Sequence, residues 1–146
     1  MSAKNKLEKD FAREVRTGLV QEWRGHYQRI ESALTGSGIP DTNWCVTGKE
    51  IWIEFKIVKG TRVELEPEQV SWHVMRHSHG GTTFILALDY WSGSIRKERR
   101  NRMYLWNGKD ARQVKDHGVS YPALRIWDNR DWFSLGQVLL SGGDHV

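Results

Sequence analysis

GSGIPDTNWCVTGKEIWIEFK, residues 36–56, is the stretch around which the chain must be organised. Its second half alternates as a strand does. Ile51, Ile53, Phe55 and Ile57 fall on one side, and Trp52, Glu54, Lys56 and Val58 on the other. Both sides carry large apolar residues, so the strand is expected to be covered on both faces, as central strands are. A carboxylate and an ammonium two residues apart then share one side of a buried strand. Removing two charges from water is costly unless they hold each other or a ligand. Asp41 opens the preceding apolar run, Trp44-Cys45-Val46, and Thr47-Gly48-Lys49 is a turn that folds this run back onto the next. Such a hairpin brings Asp41 beside Glu54, so that two carboxylates and a lysine meet at one spot. The plainer alternative is an ordinary sheet with a partly buried Glu54–Lys56 ion pair.

Outward from the hairpin, the flanking segments carry their own periodicities. Leu7, Phe11, Val15, Leu19 and Trp23 recur every four residues, with Ala12 and Val20 widening the stripe; this predicts an amphipathic helix from about Ala3 to Trp23. His26 to Ser32 alternates and predicts a strand. It leads into Gly36-Ser37-Gly38, a loop that either simply connects or lets its backbone approach a phosphate. Glu66-Pro67-Glu68 combines the proline and acids of a helix start, predicting a helix to about His77 that stops at Gly80-Gly81 and turns Val70 and Val74 to the core. Thr82–Tyr90, TTFILALDY, predicts a central strand, and Met103–Trp106 a short one ending at Asn107-Gly108. Tyr121–Arg125 reads as loop, and Asn129 as the cap of a last helix to Leu140 carrying Trp132, Phe133 and Leu135. Strand, hairpin, helix and strand in this order predict an α/β fold with a mixed central sheet flanked by helices.

At 146 residues the chain is long enough for one domain with one sizeable core. Cys45 is the only cysteine, so no disulfide framework is expected and a reducing compartment suits the chain. No apolar run reaches membrane-spanning length, and the start MSAKNKLEKDF is charged rather than signal-like; the cytoplasm is the expected location. The formal charge is +4, but eight Lys and Arg against two acids between Ile95 and Lys115 give +6 there, leaving −2 elsewhere. That asymmetry points to a polyanion met by one face. Arg96, Lys97, Arg99, Arg100 and Arg102 are the candidates for contact with a DNA backbone, against the plainer reading of a solvated charged loop. His73, His77 and His79 invite a zinc reading, but no cysteine or acid completes that set nearby in the sequence.

Pro40-Asp41, followed thirteen residues on by Glu54-x-Lys56, resembles the PD-(D/E)xK nuclease superfamily. With Ile30-Glu31-Ser32, Gly36-Ser37-Gly38, Trp52-Ile53-Glu54-Phe55-Lys56 and Glu68-Gln69 opening a helix, the chain looks most like the small VRR-NUC and archaeal Holliday-junction-resolvase type. The resemblance covers roughly Leu7 to Leu88. It divides a single domain, 1–146, into a core at 7–90 and a basic C-terminal extension at 91–146. It implies a restriction-endonuclease-like fold and a magnesium- or manganese-dependent DNA endonuclease. On that resemblance, Asp41, Glu54 and the backbone carbonyl of Phe55 hold one or two hard divalent ions, which prefer oxygen ligands. Lys56 orients or deprotonates the attacking water, and Gln69 points back at the site. A glutamate on the first helix completes the metal site, Glu14 being the first choice and Glu22 the alternative on that helix; Glu31, which ends the first strand just before the glycine loop, rivals Glu14. Ser32, Gly36, Gly38, His73 and Arg76 join the basic run as candidates for phosphate contact. The resemblance also implies products with a 5′-phosphate and a 3′-hydroxyl, homodimers acting on branched or junction DNA, and a phage-encoded enzyme working in the host cytoplasm. The other class left open is a module on the same fold that binds DNA or a protein partner without catalysis.

Overall fold

The hairpin at the centre of the sequence forms as its alternation requires. In the computed structural model, which describes residues 3–30, 38–90 and 101–143, β2 (Thr42–Val46) and β3 (Lys49–Ile57) pair antiparallel, with Val46 opposite Lys49 and Thr42 opposite Ile53. Thr47 and Gly48 alone make the turn, at φ 48° and 83°. Positive φ at both central residues is the twist-matched geometry of a two-residue hairpin.

Around it lie α1 (Ala3–Glu22), β1 (Gly25–Arg29), α2 (Pro67–Ser78), β4 (Thr83–Asp89), β5 (Arg102–Asn107), α3 (Ala111–His117), β6 (Arg125–Trp127) and α4 (Trp132–Leu140). The strands form one sheet in sequence order, β1-β2-β3-β4-β5-β6. Only β3 and β4 run parallel, and α2 is the crossover between them; the other pairs are antiparallel. This is a mixed α/β sheet flanked by helices, the predicted class, and is consistent with a restriction-endonuclease-like fold. Among the described residues no helix is long and apolar enough to cross a membrane.

Both faces of β3 are covered. Ile51, Ile53, Phe55 and Ile57 join Phe11, Val15 and Leu19 of α1 and Leu135 and Leu139 of α4 in one core. Val58 joins Val70 of α2, Ile85, Ala87, Trp106 and Val114 of α3 in the other. The segment expected as an extension beyond residue 90 therefore supplies two strands to the sheet and a helix to each face.

Three local expectations change. Val74 is 41% exposed, and His73 takes its place toward the core beside Val70. The last helix is capped by Asp131, whose side chain accepts from the Ser134 amide, rather than by Asn129. Arg125 opens the three-residue β6 instead of lying in a loop.

Candidate active site

The β2–β3 register fixes the site. Thr42 is the last residue of β2 to pair with β3, so beyond Ile53 no strand among the described residues pairs with that edge. Asp41 stands just past that end, and its Oδ2 accepts the Phe55 N–H at 3.0 Å, a bond that stands in for the missing ladder. A residue's N–H and C=O project to the same strand edge, so the Phe55 carbonyl faces this gap as well.

Glu54 and Lys56 lie on the α2 side of β3, only 2% and 6% exposed, with Lys56 Nζ 4.0 Å from Glu54 Oε2. The same oxygen accepts a hydrogen bond from Gln69 Nε2 at 3.2 Å. Gln69 is the third residue of α2, and its Oε1 accepts the Glu66 N–H at 2.9 Å. One amide therefore caps the helix with one end and holds the carboxylate with the other. Asp41, Glu54, Lys56 and Gln69 come together as predicted.

The electrostatics of the spot are those of crowded negative charge. Burial, and next the charge of Asp41, hold the Glu54 carboxyl well above its usual range, while Lys56 pulls it back down. Glu8 of α1 adds to the upward push. Glu54 Oε1 is buried and has no hydrogen-bond partner among the described residues. A buried carboxylate oxygen without a donor, facing other acids, suits a cation. Among the described residues no three His, Cys, Asp or Glu side chains form a ready metal cage. The donor set is two carboxylates and a main-chain carbonyl, which fits a small hard ion that keeps several waters.

Glu8 is the helix carboxylate that sequence reasoning missed. Glu14, the predicted one, faces elsewhere: its Oε2 accepts from Arg130 Nε at 3.0 Å, on the α4 side. Glu22 is exposed at the far end of α1. Glu8 precedes Phe11 by three residues and Glu14 follows it by three, so both flank the same apolar stripe. The Phe11 ring sits edge-on to Phe55 at 5.7 Å, which carries the helix start, and Glu8 with it, to the open end of β3.

Of the predicted phosphate contacts, His73 is a correction. It is fully buried, its Nδ1 shares a 3.0 Å hydrogen bond with Thr83 Oγ1, and no strand of nucleic acid can reach it. Burial, and then the positive charge of Lys56, lower its pKa to about 4. Gly38, at φ 86°, packs against the first turn of α2, so close that a Cβ there would strike the Glu68 carbonyl. Arg76 is exposed, with its guanidinium 4.6 Å from the Trp72 ring and 5.4 Å from the Trp52 ring. Arg102 is engaged by Asp128 at 2.7 Å. Glu31, Ser32, Gly36, Arg96, Lys97, Arg99 and Arg100 lie outside the described residues.

No protein-family model matches the chain, and no curated protein matches it.

Proposed function

We propose that the protein is a magnesium- or manganese-dependent nuclease that hydrolyses phosphodiester bonds in DNA, with branched or junction DNA as the preferred substrate. The observation that carries this reading is the meeting of Asp41 and Glu54 at the edge of β3 past its pairing with β2, with Lys56 buried beside them and Glu54 Oε1 without a hydrogen-bond partner among the described residues. A structural ion pair needs no second carboxylate and leaves no orphaned oxygen.

Asp41, Glu54 and the Phe55 carbonyl would hold the ion, which when bound would make water a better nucleophile and offset charge on the phosphate oxygens. Gln69 keeps the Glu54 carboxylate from rotating away, because it is itself fixed by the Glu66 amide. Lys56 Nζ is held in a dry position, where its charge acts on a phosphate undergoing in-line attack far more strongly than in water. It would orient the attacking water or take its proton, and Glu54 sets that balance.

Incubating the purified chain with labelled linear, nicked, flapped and four-way DNAs, and with single-stranded RNA, tests the reading in Mg²⁺, Mn²⁺ and EDTA. Metal-dependent cleavage, strongest on the four-way DNA, is expected. Salt-sensitive binding without cleavage under any metal would make the protein an inactive binding module on this fold. Neither binding nor cleavage would remove the nucleic-acid reading altogether.

A further inference from the structure

The gap at β3 carries Asp41, Glu54 and, close by, Glu8. A phosphodiester backbone brought there meets acids first, so some positive charge beside the gap must offset them. Lys56 is buried next to Glu54 and serves the reacting centre. The charge must be found on a rim.

Edge strand β1 supplies one. Arg29 pairs opposite Thr42, and the next residue, Ile30, donates its N–H to the Asp41 carbonyl at 2.8 Å. Arg29 is thus tied by the backbone to the residue that closes the gap. Tyr27, two residues before it on the same face, packs its ring on Trp44 with centroids 4.7 Å apart. Arg16 of α1 lies over the same ring, Cζ 4.8 Å from its centroid. Arg16 also shares one stripe of α1 with Glu8 and Ala12, each four residues apart, so the stripe runs from the rim to the gap. Burial raises the Tyr27 pKa, while Arg16 and Arg29 lower it and Asp41 raises it, which places all three charges within electrostatic reach of one phenol.

Both arginines are exposed, and neither has an acidic partner among the described residues. A guanidinium stacked on a ring keeps its in-plane N–H donors free, and its orientation is fixed in advance for a bidentate grip on a phosphate. Two cations without an acidic partner among the described residues, one pre-oriented on an aromatic face and one tied to the site by the backbone, are a poor way to stabilise a fold. We infer that Arg16 and Arg29, mounted on and beside Tyr27, form a phosphate-binding rim that holds the nucleic-acid backbone next to the Asp41–Glu54 gap. The assignment rests on the nuclease reading above and adds to it the side from which the strand is held.

The test is the salt dependence of binding by the full chain to labelled duplex and four-way DNA, in EDTA so that nothing is cut. Arg16→Gln with Arg29→Gln should flatten the slope of log affinity against log salt by up to about two units, since each lost phosphate contact removes about 0.9 on duplex DNA. Affinity at moderate salt should fall roughly tenfold or more, alike for all sequences. Lysine at both positions should restore the slope, because charge rather than shape sets it. Arg24→Gln with Arg125→Gln, an equal charge change at exposed positions outside both the basic segment and the gap, should leave the slope unchanged. A wild-type slope in the Arg16/Arg29 variant, while the wild-type protein binds and cleaves, overturns the rim and leaves the nuclease reading standing. No salt-dependent binding by the wild-type protein overturns both.

Discussion

On the α1/α4 side of the sheet the buried surface is almost wholly apolar; on the α2/α3 side it is interrupted by charge. The first side packs Phe11, Val15, Leu19, Trp44, Ile53, Phe55, Leu86, Leu105 and Leu135, with polar groups only at its margins, Thr42 at the start of β2 and Asn107 at the end of β5. The second side buries Glu54, Lys56 and His73, and the alternation of β4 puts the buried Asp89 there as well. The two faces have the same strands, and the alternation of side chains is what separates them. Charges kept out of water cost several kcal/mol each unless compensated, so a fold selected only for stability would fill both sides alike. On the nuclease reading proposed above, the second face gives up part of that stability to hold reactive groups in a dry, fixed place.

The sharpest way to break this comparison is to remove charge without removing volume. Asp41→Asn and Glu54→Gln should each abolish metal-dependent cleavage. Glu54→Gln should leave the melting temperature unchanged or raise it, because it ends the desolvation and like-charge penalties at a buried site. Cleavage in Mg²⁺ and thermal melts on the same preparations check both halves. Wild-type turnover by either variant would make the second face merely structural.

The opposite experiment belongs on the first face. Leu105 is fully buried in β5, away from the gap. Leu105→Ala should cost about 2–5 kcal/mol in denaturant unfolding, from lost transfer energy and the cavity left behind. Cleavage per folded molecule should stay near wild type. A selective loss of activity with little loss of stability would mean that the two faces are not divided as described.

His73 sharpens the comparison through pH. Its folded pKa is lowered to about 4 by burial and then by Lys56, against an ordinary value of 6.5. Between those values the unfolded chain takes up a proton that the folded chain refuses. Stability contributed by neutral His73 is therefore complete above pH 6.5 and is lost as pH falls toward 4, by up to about 3 kcal/mol. Urea unfolding across that range should show the loss in wild type and a flatter profile in His73→Gln. Parallel profiles would mean that His73 is protonated in the fold or is reached by water.

How much of this was legible in the sequence follows from what periodicity can fix. The period-2 pattern of β3 gave its two faces correctly, and Thr47-Gly48 set the register that brings Asp41 to Phe55. Glu66-Pro67 marked the start of α2. What periodicity leaves open is which of two adjacent helical positions turns inward. Hydrophobicity alone favours Val74 over His73, but Thr83 offers the imidazole a partner, and a valine would leave that hydroxyl without one. The short α3 and the three-residue β6 carry too few turns or alternations to stand out, and they form because β5 and the cores receive them.

The same limit explains the helix glutamate and supplies the finest test. Glu8 and Glu14 lie three residues before and three after Phe11, so they flank its stripe on opposite sides, about 120° apart around α1 and roughly 9 Å apart along its axis. A stripe admits a carboxylate on either flank and is silent about which flank and which turn meet the strand end; the Phe11–Phe55 contact sets the turn. Glu8 pushes on Glu54, whereas Glu14 is paired with Arg130. Glu8→Gln should thus slow the single-turnover rate by about tenfold, the effect of one outer charge changed near the reacting centre rather than of a lost ligand. It should also raise the Mg²⁺ concentration needed for half-maximal cleavage. Glu14→Gln should change neither quantity, and by breaking an exposed ion pair it should cost no more than about 1 kcal/mol of stability. Rates and metal requirements measured side by side decide which glutamate belongs to the site. If Glu14→Gln has the larger effect, α1 is shifted along its axis from the position described, and the gap at β3 is closed by a different turn of the helix.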